Sequence, residues 1–255
     1  MLLVVDVGNT QTHFGTFDGT TLVEHWRFAT VRTSTADELG AALRSLLALR
    51  GMGFENLSSS IVSSTVPQLE TEYREMSVRY LGHETLIVGP GVKTGLAIRY
   101  DNPHEIGADR LVNSVALRDR FDGAAVCVDF GTATTFDIVS AAGEYLGGVI
   151  LPGIEISLDA LTERGARLPR IDLAEPRGII GKSTVDAIRS GILYGYAGAI
   201  DGIMHRLREE LGEELDAIAT GGLARSITPF TDEVDEVDDL LTLTGLRLIH
   251  EKNAS

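Results

Sequence analysis

Met1–Thr20 reads MLLVVDVGNTQTHFGTFDGT, and Ala124–Ser140 reads AAVCVDFGTATTFDIVS. Each is an apolar run that ends in a carboxylate, Asp6 or Asp129, and then turns small and hydrogen-bonding. Glycine follows two residues after the aspartate, at Gly8 and Gly131, and a threonine-rich stretch comes next. The two aspartates lie 123 residues apart, close to half of the 255-residue chain. Outward from each motif the pattern continues in parallel. LLVVD, QTHFGTF and TLVEHWRFAT read as three strands, with Asp18-Gly19 the hairpin turn between the last two. AAVCVD, TATTFDIVS and EYLGGVILPG repeat that unit, with Gly143 in the second turn. The spacing predicts an internal duplication: two α/β lobes over 1–115 and 116–255, each a mixed sheet with flanking helices, facing each other across a cleft.

Helices are predicted between and after these strands. STADELGAALRSLLALRG carries Leu39, Leu43, Leu46 and Leu47 on one stripe, with Ser34 or Thr35 to cap it and Gly51 to close it. PQLETEYREMSVRYLG places Pro67 in its first turn and Gly82 at its end. SSSIVSS and ETLIVG read as strands. In the second half, IEISLDALTERGARL and TVDAIRSGILYGYAGAIDGIMHRLREELG read as helices and LDAIATGG as a strand. TDEVDEVDD reads as a solvated loop, and LLTLTGLRLIHEK as a last helix packed on the second lobe.

Composition narrows the function classes. The chain is 44% hydrophobic and 23% charged, enough for a sizeable core, and its formal net charge is −15. A nucleic-acid partner would be repelled by that surface, and no Lys/Arg run offsets it. Cys127 is the sole cysteine, so no intrachain disulfide forms, and its apolar setting fits a buried small hydrophobe. Asp6 interrupts the N-terminal apolar stretch and no basic leader precedes it. No run reaches the ~20 apolar residues of a membrane span. A cytoplasmic, soluble protein is expected. His13, His83 and His104 lack the spacing of a metal site.

A turn of Gly, Asn and Thr offers backbone N–H groups and hydroxyls without a bulky side chain, a surface suited to phosphate oxygens. A carboxylate at the strand end repels phosphate but can hold a cation, and magnesium uses one or two carboxylates beside waters and phosphate. DVGNT and DFGTATT thus read as two phosphate-gripping hairpins with a metal between them. The alternative for each is a plain hairpin turn. IATGGLA adds a glycine pair, Gly221-Gly222, that allows close approach of an adenine or ribose, or serves as a plain strand-to-helix turn. In IRYDNPHEIGADRLVNSVAL, Gly107 permits a tight turn that sets Asp109 at or near a helix N-terminus. There it can be a cap worth ~1 kcal/mol. Arg110 can pair with Glu105 or Asp109, or grip a substrate oxygen.

DVGNTQTHFG, YDNPHEIGADR, DFGTATTFD and TGGLA, in that order over nearly the whole chain, closely resemble the type III pantothenate kinases. These belong to the superfamily of acetate and sugar kinases, Hsp70 and actin. The resemblance implies two actin-like (ribonuclease H-like) lobes and transfer of the ATP γ-phosphoryl group to pantothenate, the first step of coenzyme A biosynthesis. It implies ATP and phosphate contacts at Asp6, Val7, Gly8, Asn9, Thr10, Gln11, Thr12, His13, Gly131, Thr132, Gly221 and Gly222. Gln11 and His13 sit at positions that vary in the family. Asp6 corresponds to the residue that organises magnesium, directly or through water. Asp129 corresponds to the carboxylate that holds a monovalent cation, potassium or ammonium. Asp109 corresponds to the proposed base, and Tyr100, Gly107, Ala108, Asp109, Arg110 and Thr184 to the pantothenate contacts. The family is dimeric, so Thr184 is expected to act from a neighbouring subunit at an interface acceptor site; GILYGYAGAIDGIM fits such an interface or burial within one lobe. A kinase for another small alcohol would keep the hairpins without these acceptor residues. A non-catalytic transcription accessory relative would need no base.

Overall fold

The computed structural model describes residues 1–165, 168–169 and 171–254. Its contacts divide the chain into a unit of Met1–Ala116 with Leu240–Ser255 and a unit of Leu117–Asp239.

In the first unit, β1 (Leu2–Val7), β2 (Gln11–Asp18) and β3 (Thr21–Ala29) form an antiparallel meander. Gly19 turns the second hairpin at φ +57°, where a side chain would be strained. The chain then crosses to β4 (Ser59–Ser64), parallel to β1, and to β5 (Leu86–Ile87). The sheet order is β3-β2-β1-β4-β5. Alternation along β1 divides its side chains between two cores. Leu3, Val5 and Val7 pack with Phe14, Val62 and the buried stripes of α1 (Ala36–Ala48) and α2 (Pro67–Met76). Thr35 caps α1 in a capping box with Glu38. Leu2 and Val4 pack on the other face with Ile61, with Val112 and Val115 of α3 (Ala108–Arg120), and with Leu243, Leu246 and Ile249 of α7 (Leu241–Asn253). A two-residue strand, β6 (Ala97–Ile98), precedes α3.

The second unit repeats the wiring. Strands β7 (Ala125–Phe130), β8 (Ala133–Val139) and β9 (Glu144–Pro152) form the meander, and β10 (Asp216–Thr220) and β11 (Glu236–Val237) run parallel beyond β7. Their order, β9-β8-β7-β10-β11, is that of the first sheet strand for strand. The duplication read from two short motifs therefore extends to five strands in each half, and the second sheet carries a sixth, β6, at its edge. Val126, Val128 and Phe130 face a core completed by α5 (Thr184–Leu211), by Ile154 of α4 (Ile154–Arg164), and by Ala224 and Ile227 of α6 (Ala224–Ile227). Cys127 lies on the opposite face, fully buried, and burial pushes its thiol pKa well up, as an inert packing residue requires.

Three expectations are corrected. The last helix does not pack on the second lobe: Leu243, Leu246 and Ile249 close the core of the first unit. TDEVDEVDD is not all loop, because Glu236 and Val237 form β11. The Asp238 N–H donates to the Ala219 carbonyl at 2.9 Å, and the Asp235 carboxylate accepts from the Ala217 N–H at 2.9 Å. The helix expected through Leu168 ends at Arg164, and residues 166 and 167 of that expectation lie outside the described residues.

Candidate functional site

The first turn is built to be held from behind. The Gly8 N–H closes it by donating to the Gln11 carbonyl at 3.0 Å, and a Cβ at Gly8 would stand 2.9 Å from that oxygen. Thr30, just past β3, clamps the turn twice: its N–H donates to the Thr10 carbonyl at 2.9 Å and its hydroxyl to the Gly8 carbonyl at 2.8 Å. Buried Thr12 shares a 2.8 Å bond with the Thr30 hydroxyl. Thr65, after β4, holds the Val7 carbonyl through both its N–H and its hydroxyl, and accepts from the Asn9 amide at 3.3 Å. Arg32 donates to the Asn9 side-chain oxygen at 3.0 Å. Asn9, Thr10 and Gln11 are exposed on the loop so fixed, while Val7 and Thr12 turn their side chains into the core. Val7 and Thr12 can meet a nucleotide only through backbone atoms. Thr30, Arg32 and Thr65 were not singled out from sequence, since residues far along the chain anchor the loop; the hydroxyl-rich segments around them were the available signal.

Asp6 heads a lateral row. It pairs in register with His13 on β2, and His13 with Arg27 on β3. Side chains so aligned share a sheet face. Burial, then the charges of Arg27 and His25, lower the His13 pKa to about 4, so its imidazole is neutral near pH 7. That face is the one α3 covers. The helix begins at Ala108, so Asp109 lies in its first turn rather than at the cap, and its carboxylate accepts from the Arg110 N–H at 2.9 Å. A Cβ at Gly107 would meet the Asp109 carboxylate at 2.5 Å, so any larger residue there would push that side chain aside. Burial raises the Asp109 pKa, with the Arg110 contacts opposing it. The Arg110 side chain is buried, which does not fit the surface-arginine alternative. Tyr100 is half-buried in the segment leading to α3.

The second turn has its own supports. The Gly131 N–H donates to the Ala133 carbonyl at 3.0 Å, and the Gly153 N–H to the Thr132 carbonyl at 3.1 Å. A Cβ at Gly153 would collide with that carbonyl. Gly131 and Thr132 are exposed. Asp129 sits in a row between Thr220 on β10 and Thr135 on β8, a set of oxygen donors suited to a hard cation. One row further in, Asp137 is fully buried and accepts from the Tyr145 hydroxyl at 3.0 Å. Gly221, at φ +91°, packs directly on this end of β7: a Cβ would lie 2.5 Å from the Asp129 carboxylate and 2.7 Å from the Phe130 backbone. The structure thus joins the glycine pair to the second hairpin. Thr184 opens α5 in the same unit and is exposed.

Among the described residues no three His, Cys, Asp or Glu side chains gather as a metal cage. The single carboxylate Asp6 beside a phosphate-type turn fits magnesium instead, an ion that draws most ligands from water and phosphate.

Comparison with known proteins decides the family. A family model described as "Type III pantothenate kinase" matches residues 2–206. The chain belongs to the type III pantothenate kinase family. A curated type III pantothenate kinase of Koribacter versatilis is 50% identical, over 100% of this chain and 97% of its own length. One from Streptomyces avermitilis is 51% identical over 100% and 99%, and one from Moorella thermoacetica 49% over 99% and 100%. Solved structures show the actin-like fold. Component A of the (R)-2-hydroxyglutaryl-CoA dehydratase of Acidaminococcus fermentans superposes with TM-score 0.54 at 16% identity, covering 100% of this chain and 99% of its own. The inorganic polyphosphate/ATP-glucomannokinase of an Arthrobacter species gives 0.52 at 14%, over 99% and 98%. No helix among the described residues is long and apolar enough to cross a membrane.

Proposed function

We propose a division of labour for the family reaction in this chain. The chain is a kinase that phosphorylates pantothenate at the expense of ATP, opening coenzyme A biosynthesis. Val7–His13 of the first unit and Gly131-Thr132 of the second each hold phosphate oxygens of ATP, and Gly221-Gly222 receives its adenosine end. Asp6 holds magnesium, directly or through water, and Asp129 holds potassium or ammonium. Bound cations would neutralise charge on the phosphates. The protein's own part in the chemistry is Asp109. As a base it accepts the proton of the pantothenate hydroxyl while the oxygen attacks phosphorus in line. Burial raises its pKa toward the operating range, which makes it a stronger proton acceptor once ionised. Arg110 grips carboxylate or carbonyl oxygens of pantothenate, and Tyr100 and a partner subunit's copy of Thr184 complete the acceptor site of a cytoplasmic homodimer.

The observation that carries this reading is Asp109 itself: a raised-pKa carboxylate, given room by Gly107, in the first turn of a helix that packs on the Asp6 face of its sheet. The test is purified protein with ATP, magnesium and pantothenate, with and without potassium. 4′-Phosphopantothenate is expected, with turnover raised by potassium or ammonium but not by sodium. If pantothenate is inert and another small alcohol is phosphorylated, the acceptor assignment is wrong. If ATP binds and no alcohol reacts, an accessory role in transcription becomes the better reading.

A further inference from the structure

Ser63 is fully buried in β4, and among the described residues its hydroxyl has no hydrogen-bond partner. A buried hydroxyl without a partner is a net cost to folding, so its position calls for a reason. The sheet register supplies one. Ser63 is the in-register neighbour of Asp6 across the parallel β1–β4 pair. Adjacent strands run ~4.8 Å apart, and side chains so aligned leave the same face of the sheet. The cores confirm the face: Val5 and Val62 fall in one cluster, Val4 and Ile61 in the other, so Asp6 and Ser63 follow Val4 and Ile61.

The duplicated unit repeats the pairing. There Asp129 is the in-register neighbour of Thr220 across the parallel β7–β10 pair, and Thr220 too is buried. A hydroxyl residue beside the strand-end aspartate thus occurs in both halves, at the same place in the same topology. In each half the chain leaves that residue for a segment that touches the hairpin end: Thr65 bonds the Val7 carbonyl and Asn9, and Gly221 packs on Asp129.

We propose that Ser63 is a positioning residue for Asp6: its hydroxyl donates to the Asp6 carboxylate when that group faces magnesium nucleotide, holding it in the orientation the cation needs. The inference rests on the assignment of Asp6 to magnesium and deepens it. Ser63 touches neither substrate nor reacting atoms. Its effect passes through Asp6.

The experiment is calorimetric ATP binding to the full-length protein, with and without magnesium, for wild type, Ser63→Ala, Ser63→Cys and Asp6→Asn, beside each protein's melting temperature. Ser63→Ala should melt no lower than wild type, since it removes an unpartnered hydroxyl. It should bind magnesium–ATP about tenfold more weakly, the usual scale for a hydrogen bond to a charged group, while its affinity for ATP without magnesium stays unchanged. Ser63→Cys, close in volume and a weaker donor, should fall between the two. Wild-type magnesium–ATP affinity in folded Ser63→Ala overturns the proposal, and so does an equal loss with and without magnesium, the mark of a merely structural role. If Asp6→Asn keeps the magnesium-dependent part of the affinity, the Asp6 assignment itself fails, whichever way Ser63 behaves.

Discussion

Gly221→Ala tests the join between the glycine pair and the second hairpin. The residue stands at φ +91°, and an L side chain in a left-handed conformation costs ~1–2 kcal/mol. The added Cβ would also lie 2.7 Å from the Phe130 backbone, which cannot rotate away, and 2.5 Å from the Asp129 carboxylate. Overpacking of that kind costs ~1–3 kcal/mol, while the lower entropy of the unfolded alanine chain offsets ~0.5 kcal/mol. The net loss is ~1.5–4.5 kcal/mol, a sizeable share of the ~5–15 kcal/mol that holds a typical domain together. Gly19→Ala is the control: its φ is +57°, but nothing lies within 4 Å of the new Cβ, so strain acts without collision. Urea unfolding followed by circular dichroism should rank wild type above Gly19→Ala and Gly19→Ala above Gly221→Ala, with ATP affinity falling only in the last. Equal destabilisation by the two substitutions would refute the close packing of Gly221 on Asp129.

Other outcomes follow from the same geometry. Asp109 works as a base only when ionised, so kcat/KM should climb with pH through a pKa above the ordinary aspartate value. A raised folded-state pKa also means that the unfolded chain ionises first as pH rises. Asp109→Asn should therefore gain stability at neutral pH, a gain that fades as pH falls through the folded-state pKa and is gone below the unfolded-state value. His13 gives the opposite sign. Its folded pKa is about 4 against 6.5, so wild type should lose stability as pH falls through that window, and His13→Gln should flatten the loss in thermal melts. Arg32→Ala removes one hydrogen bond to Asn9 and should weaken ATP binding ~3- to 10-fold in calorimetry with little change in melting temperature.

Much of the fold was legible because it is written in local pattern. The strand-end aspartates, the Asp18-Gly19 turn and the Thr35 cap each depend on residues a few positions apart, and each appears where expected. Asp109 in the first turn of α3 was legible for the same reason. The last helix was not. Leu243, Leu246 and Ile249 announce an apolar stripe, but a stripe carries no record of which sheet it covers, and chain order pointed to the wrong one. β11 escaped because a two-residue acidic edge strand has no alternation to detect, and it is specified by backbone bonds to β10. The anchors of the first turn were invisible for a related reason. Thr30, Arg32 and Thr65 reach Gly8–Thr10 from about 20 and 56 residues away along the chain. SSIVSS reads simply as a small-residue strand until its register places Ser63 beside Asp6.

Turnover of pantothenate by Asp109→Asn, measured beside its calorimetric ATP affinity, addresses the assigned chemistry most directly. The expected result is a fall in kcat of ~10²-fold or more with nucleotide binding intact, the scale of a lost general base. Wild-type turnover in the folded variant would contradict it.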